Sequence, residues 1–125
     1  MILLGVAEGD TEEDARLLCR KIVNLRIFQD AEEKMNLSVK DIDGEALVIS
    51  QFTLMANYRH GNRPDFMASA KPDEAKRLYE YFLTLIRAEL KQVGCGIFGA
   101  SMQVSLLNNG PVTIVMDSDV LKTKK

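Results

Sequence analysis

The chain contains one histidine, two cysteines and three prolines, and its formal net charge is only −2. Each of these shortages excludes something. With His60 alone, no Ser-His-Asp or Cys-His catalytic set can be assembled, and His60 itself reads as a loop residue on the surface. Histidine–cysteine spacing of the metal-ligand type is absent, so no metal is expected. Cys19 and Cys95 form neither a disulfide framework nor a Cys-x-x-Cys pair, which makes a reduced, cytoplasmic setting the expectation. No apolar run is long enough to span a bilayer. Met1-Ile2-Leu3-Leu4-Gly5-Val6 has no basic segment before it and meets acidic residues at once, so neither a secretory leader nor a membrane partner is expected. No glycine-rich loop of the phosphate-binding or dinucleotide type occurs, and no cofactor is expected. The near-neutral charge argues against broad binding along nucleic acid, and no DNA partner is expected. It leaves room for a small patch that grips one end of an RNA. The cluster Tyr58-Arg59-His60-Gly61-Asn62-Arg63 is one place for it. The tail Lys122-Thr123-Lys124-Lys125 is another, although it reads more simply as a frayed, solvated end.

What is present suits one soluble domain over residues 1–125, with apolar residues at 46% and charged residues at 27% of the chain. No repeat, low-complexity tract or linker interrupts it. Met1 to Val6 fits a buried strand. Gly9-Asp10 marks a turn, and Thr11 is an N-cap with Asp14 placed for a capping box. Ala15, Leu18, Ile22 and Leu25 recur at helical spacing, so a helix is expected from Thr11 to Leu25. Arg26-Ile27-Phe28 is a short strand and Gln29 to Lys34 a charged loop. Leu37 to Ile42 alternates apolar and polar residues as a half-exposed strand does. Asp43-Gly44 is a hairpin-turn dipeptide. Ala46 to Leu54 reads as a central strand, and Asn57 to Ala70 as an irregular loop.

Pro72 suits the first turn of a second helix. In that helix Ala75, Leu78, Tyr79, Phe82, Leu85, Ile86, Leu90 and Val93 form the apolar stripe, with Gly94 as its stop. Strands at Met102–Leu107 and Val112–Met116 flank Asn108-Asn109-Gly110-Pro111. Gly110 can adopt backbone angles closed to other residues, and Pro111 fixes its own φ and has no N–H. By itself this is a turn. The expected fold is α/β: one domain of largely antiparallel or mixed β-sheets with two amphipathic helices on one face.

Chemistry is harder to place. On a strand, Ser50, Phe52 and Leu54 would share one face and Gln51 and Thr53 the other, and two polar side chains near a strand's end can line a small site. Spacing alone favours solvent exposure for both.

Several segments taken together change this. Leu25-Arg26-Ile27-Phe28, Lys34-Met35-Asn36-Leu37-Ser38-Val39, Ser50-Gln51-Phe52-Thr53-Leu54, Gly61-Asn62-Arg63-Pro64-Asp65-Phe66, Leu78-Tyr79-Glu80-Tyr81-Phe82, Gly96-Ile97-Phe98-Gly99-Ala100-Ser101-Met102 and Asn108-Asn109-Gly110-Pro111-Val112-Thr113 stand in this order along nearly the whole chain. In them the chain resembles the D-aminoacyl-tRNA deacylase family, also called D-tyrosyl-tRNA deacylase. The resemblance implies a homodimer that hydrolyses the ester between a D-amino acid and the 3′ end of tRNA. It implies a cis Gly110-Pro111 peptide that enters the partner subunit's site and reads the stereocentre with main-chain groups. Gln51 and Thr53 then map to the catalytic pocket, with Ser50 lining it and Phe52 flanking the terminal adenine. Phe98, Gly99, Ala100 and Met102 map to the pocket wall.

Thr53 as a nucleophile would want a nearby base, and no histidine or lysine lies close to it in sequence. Backbone N–H groups that hold a developing oxyanion, helped by the terminal ribose 2′-hydroxyl, need no such base. The chain departs from the family in one respect: the N-terminal β-hairpin that usually precedes the segment matching Ile2–Val6 is missing. That hairpin brings an arginine supporting the Gly-Pro turn, so the sheet is expected to have an unpaired edge. A binding module for tRNA ends or a protein, without turnover, is the alternative on the same scaffold.

Overall fold

Residues 1–122 are described by the structure, a computed structural model. Of the expected basic tail, Thr123-Lys124-Lys125 lies outside the described residues. The first strand, β1 (Ile2–Leu4), leads through a turn into helix α1 (Glu12–Asn24). Thr11 caps this helix: its N–H donates to the Asp14 carboxylate at 2.8 Å and its hydroxyl to the same group at 3.3 Å. The short strands β2 (Phe28–Gln29) and β3 (Met35–Leu37) follow, then β4 (Ala46–Ser50), a single 3₁₀ turn at Phe52–Met55, helix α2 (Pro72–Glu89), strand β5 (Val93–Cys95) and a short helix α3 (Ser118–Lys122).

The main sheet has the order β1-β4-β5 and both pairings are parallel, while β2 and β3 pair antiparallel in a small sheet of their own. The parallel register places Ile2 beside Val48 and Leu4 beside Ser50, so Ile2, Leu4, Ala46 and Val48 share one face. Helices α1 and α2 pack against each other over that face. Val23, Val48, Phe82 and Ile86 are fully buried between them, together with Cys19, Tyr79, Leu83 and Leu90. Burying each such apolar side chain contributes about 1.5–3 kcal/mol, which ties both helices to the sheet. Cys19 acts here as a small apolar residue, and burial pushes its thiol up to about 11.

The α/β class and the two helices stand as expected, but several element assignments change. The strand expected at Leu37–Ile42 ends at Leu37, because Ser38 N–H and hydroxyl both bond with Asp41 and fold 38–44 into turns. Asp43 takes a left-handed backbone (φ 51°), yet Asp43-Gly44 joins no hairpin, since β4 pairs with β1 and β5. The central strand stops at Ser50 rather than Leu54. Helix α2 ends at Glu89, and Gly94 is not its stop: it lies within β5, opposite Leu47. No regular strand forms at 102–107 or 112–116. There Leu107 and Val115 are 90% and 94% exposed, and their β-prone sequence finds no neighbouring strand among the described residues. No helix among the described residues is long and apolar enough to cross a membrane.

Candidate active site at the carboxyl ends of the parallel strands

In an open sheet with parallel strands, ligands bind outside the carboxyl ends, where loops leave the strands side by side. The strands β4 and β5 run parallel, so the segments that follow them, 51–56 and 96–102, emerge at the same edge. The first begins where Gln51 N–H donates to the Leu4 carbonyl at 2.8 Å, carrying the β1–β4 pairing one residue past Ser50. The chain then tightens into the 3₁₀ turn, with Leu54 N–H donating to the Gln51 carbonyl at 3.2 Å and Ala56 N–H to the Thr53 carbonyl at 3.2 Å. Gln51 and Thr53 therefore do not alternate along a strand. They lie within one turn, and the Gln51 side-chain amide donates to the Thr53 hydroxyl oxygen.

This bond bears on the chemistry. A nucleophilic hydroxyl needs a group that takes its proton. Among the described residues the partner of Thr53 Oγ1 is an amide donor, and no histidine, lysine or carboxylate bonds to it. Phe52 is 55% exposed and meets Phe66 edge-on, with ring centroids 4.9 Å apart. Phe66 belongs to the expected irregular loop, whose base is closed by reciprocal backbone bonds between Asn57 and Asp65 at 2.8 and 2.9 Å. An exposed ring backed by a second ring is a stacking platform for a flat group such as a nucleobase.

The second segment leaves the sheet beside the first. Gly96 N–H donates to the Val48 carbonyl at 3.2 Å, continuing the β4–β5 ladder by one residue. A Cβ on Gly96 would stand 2.5 Å from Met102 Sδ and 3.1 Å from Ile49 Cδ1, so Met102 and β4 close upon it from one side. Phe98 is half-buried, with its ring 6.1 Å from that of Tyr79. Gly99 and Ala100 form an exposed turn in which Ala100 N–H donates to the Ile97 carbonyl at 3.1 Å. Ser50, Gln51, Phe52 and Thr53 are thus brought to one edge with Phe98, Gly99, Ala100 and Met102.

Gly110 and Pro111 behave differently. Their peptide is cis, and Gly110 has φ 129°, a conformation closed to other residues. The Asn108 side chain holds the turn: its Oδ1 accepts from Val112 N–H at 2.9 Å and its Nδ2 donates to Thr113 Oγ1 at 2.9 Å. Among the described residues the hydrogen bonds of this turn stay within 108–113, and Gly110 and Pro111 are exposed.

The residue that sequence reasoning overlooked is Tyr79. It counted there as one more member of an apolar helix stripe. Its hydroxyl lies 3.0 Å from the Val48 carbonyl, in the strand that leads into the first site segment, and 3.2 Å from the Gly96 carbonyl, at the start of the second. The available signal was the hydroxyl itself, which must find an acceptor when a tyrosine is buried.

A family model described as D-Tyr-tRNA(Tyr) deacylase matches residues 1–117. The chain belongs to the D-Tyr-tRNA(Tyr) deacylase family. It is 59% identical over 117 residues to the D-aminoacyl-tRNA deacylase of Caldicellulosiruptor saccharolyticus, covering 94% of this chain and 78% of that one. It is 58% identical over 120 residues to the D-aminoacyl-tRNA deacylase of a Sulfurihydrogenibium species, covering 96% of this chain and 81% of the relative. Among solved structures it is similar to one described as the c-Myc DNA unwinding element binding protein. There the TM-score is 0.83 at 41% identity, over 90% of this chain and 76% of the other. The family membership agrees with the resemblance drawn from the sequence segments, and these segments include every residue gathered at the strand ends.

Proposed function

We propose that this chain hydrolyses the ester joining a D-amino acid to the 3′ end of tRNA, releasing free D-amino acid and tRNA. The observation that carries this reading is the family match over residues 1–117, which spans both segments at the strand ends and the Gly110-Pro111 turn. Water adds to the ester carbonyl, the bond to the ribose 3′-oxygen breaks, and a proton passes to that oxygen. Gln51 and Thr53 form the catalytic rim. Thr53 acts as a bonded wall rather than a nucleophile, since its oxygen accepts from Gln51 and no base attends it. Backbone N–H groups at the rim hold the developing oxyanion, and the ribose 2′-hydroxyl assists. Phe52, backed by Phe66, supports the terminal adenine. Ser50, Phe98, Gly99, Ala100 and Met102 line the pocket around the aminoacyl group.

Gly110 and Pro111 complete the site from a second copy of the chain, working in a homodimer in the cytoplasm. The exposed Leu106, Leu107, Ile114 and Val115 on either side of the turn support this arrangement, since bare apolar residues of this kind suit an interface. A reader made of main chain senses the configuration at Cα and ignores the side chain beyond it. L-substrates are turned away by collision with that backbone. Glycine has no stereocentre, so glycyl-tRNA enters. A second reading, a nucleic-acid-binding module without turnover, draws on the similar chain described as a DNA unwinding element binding protein.

Incubation with D-tyrosyl-tRNA separates the two readings. Loss of the ester with multiple turnovers supports the deacylase. Binding without ester loss supports the module and overturns the hydrolytic reading.

A further inference from the structure

Tyr79 is 2% exposed, deep under the sheet on helix α2. A phenol has one proton, so the carbonyls of Val48 at 3.0 Å and Gly96 at 3.2 Å share a single donor. Val48 lies two residues before Ser50, and Gly96 two residues before Phe98. The two carbonyls are not equally dependent on it. Val48 also accepts from Gly96 N–H at 3.2 Å, whereas among the described residues the Gly96 carbonyl has the Tyr79 hydroxyl as its partner. A Cβ on Gly96 would crowd the flexible ends of two side chains, Met102 Sδ at 2.5 Å and Ile49 Cδ1 at 3.1 Å. The Tyr79 ring meets the Phe98 ring at 6.1 Å. One side chain therefore touches the start of the pocket wall by its hydroxyl and the body of that wall by its ring.

We propose that Tyr79 is a positioning residue of the pocket: through the Gly96 carbonyl and Phe98 it sets where the 96–102 wall stands relative to Gln51–Thr53, and so how closely the pocket fits the aminoacyl group. This rests on the deacylase reading for its substrate but on geometry alone for the positioning itself. Burial pushes the Tyr79 phenol above its ordinary range, so its proton stays in place for donation across the neutral pH range. A wall released at Gly96 keeps its β4 pairing and loses its height over the site. The consequence is poorer discrimination as well as slower reaction, since productive geometry tolerates little displacement.

Tyr79→Phe keeps the ring and removes the donor. For the full chain, kcat and KM are measured on D-tyrosyl-tRNA and L-tyrosyl-tRNA, and amide hydrogen exchange is followed in parallel. The expected result is a fall of roughly tenfold or more in kcat/KM for the D-ester with a narrowed D/L ratio. Exchange should quicken at 97–102, including the bonded Ala100 amide, and stay unchanged at 51–56. Gly96→Ala, whose Cβ would displace the Met102 side chain, should narrow the D/L ratio in the same way. An unchanged D/L ratio in Tyr79→Phe, with activity falling only as the folded fraction falls, overturns the proposal. Faster exchange spread evenly over the core also overturns it, because Tyr79 would then be a stability residue alone. If the wild-type chain releases neither tyrosine, the deacylase reading fails, and the exchange pattern still decides the positioning role.

Discussion

The Ser118 hydroxyl donates to the Asp14 carboxylate at 2.7 Å, closing a separation of 104 residues at a buried position. The same carboxylate accepts from the N–H of Thr11 at 2.8 Å and pairs with Lys122 Nζ at 2.5 Å. One acidic side chain thus caps helix α1 and anchors helix α3 at the far end of the chain. Burial alone would push the Asp14 carboxyl up, but the bonds from Lys122, the Thr11 backbone and Ser118 outweigh it and hold it at about 2.

Because the folded-state value lies below the ordinary 3.8, Asp14 adds stability that is complete above about pH 4 and is lost as pH falls towards 2. Asp14→Asn should lower unfolding free energy by about 1–2 kcal/mol at pH 7 and by little at pH 2. Denaturant titrations at the two pH values check this. An equal loss at both would assign the effect to packing instead.

Thr53→Ala should leave kcat for D-tyrosyl-tRNA within about tenfold of the parent, a change of about 1.4 kcal/mol in barrier. The variant loses the bond from Gln51 but no acyl carrier. Single-turnover rates provide the measurement. A loss of several orders of magnitude would make the threonine an essential nucleophile.

Gly110→Ala tests the turn without touching the core. A Cβ there would stand 2.9 Å from Val112 Cγ2 and 3.2 Å from Val112 N, on a backbone with φ 129° that other residues avoid. The exposed turn carries little of the folding energy, so the melting temperature should hardly move. The D-ester hydrolysis rate should fall by about a hundredfold, as expected when a positioning element shifts by an ångström. Circular dichroism and ester loss on one preparation separate these effects.

The sequence made α1 and α2 legible because each couples a start signal to an apolar stripe: Thr11 with Asp14 for one, and Pro72 with Phe82 and Ile86 for the other. Residues 50–53, 96–102 and 108–113 stood out only through their resemblance to the family, since spacing alone read the first as solvent-facing and the last as a plain turn. Strand ends and pairings were less legible. Leu37–Ile42 alternates like a strand, but Ser38 and Asp41 offer side-chain bonds that outcompete the ladder. Phe52, Thr53 and Leu54 have β-prone side chains, yet their backbone closes a 3₁₀ turn once the pairing with β1 runs out. The parallel β4–β5 pairing joins residues on either side of helix α2, and no local pattern announces it. Tyr79 was hidden for a similar reason, because its two acceptors are remote in sequence.

The proposed sorting of substrates by handedness rests on peptide backbone at the Gly110-Pro111 turn of a second copy. Its most direct test is the ratio of kcat/KM for D-tyrosyl-tRNA to that for L-tyrosyl-tRNA, measured on the full chain under one set of conditions. A ratio of about a hundred or more is the expected result, with collision at the backbone excluding the L-ester. Equal rates for the two esters, or release of the L-amino acid alone, would contradict it.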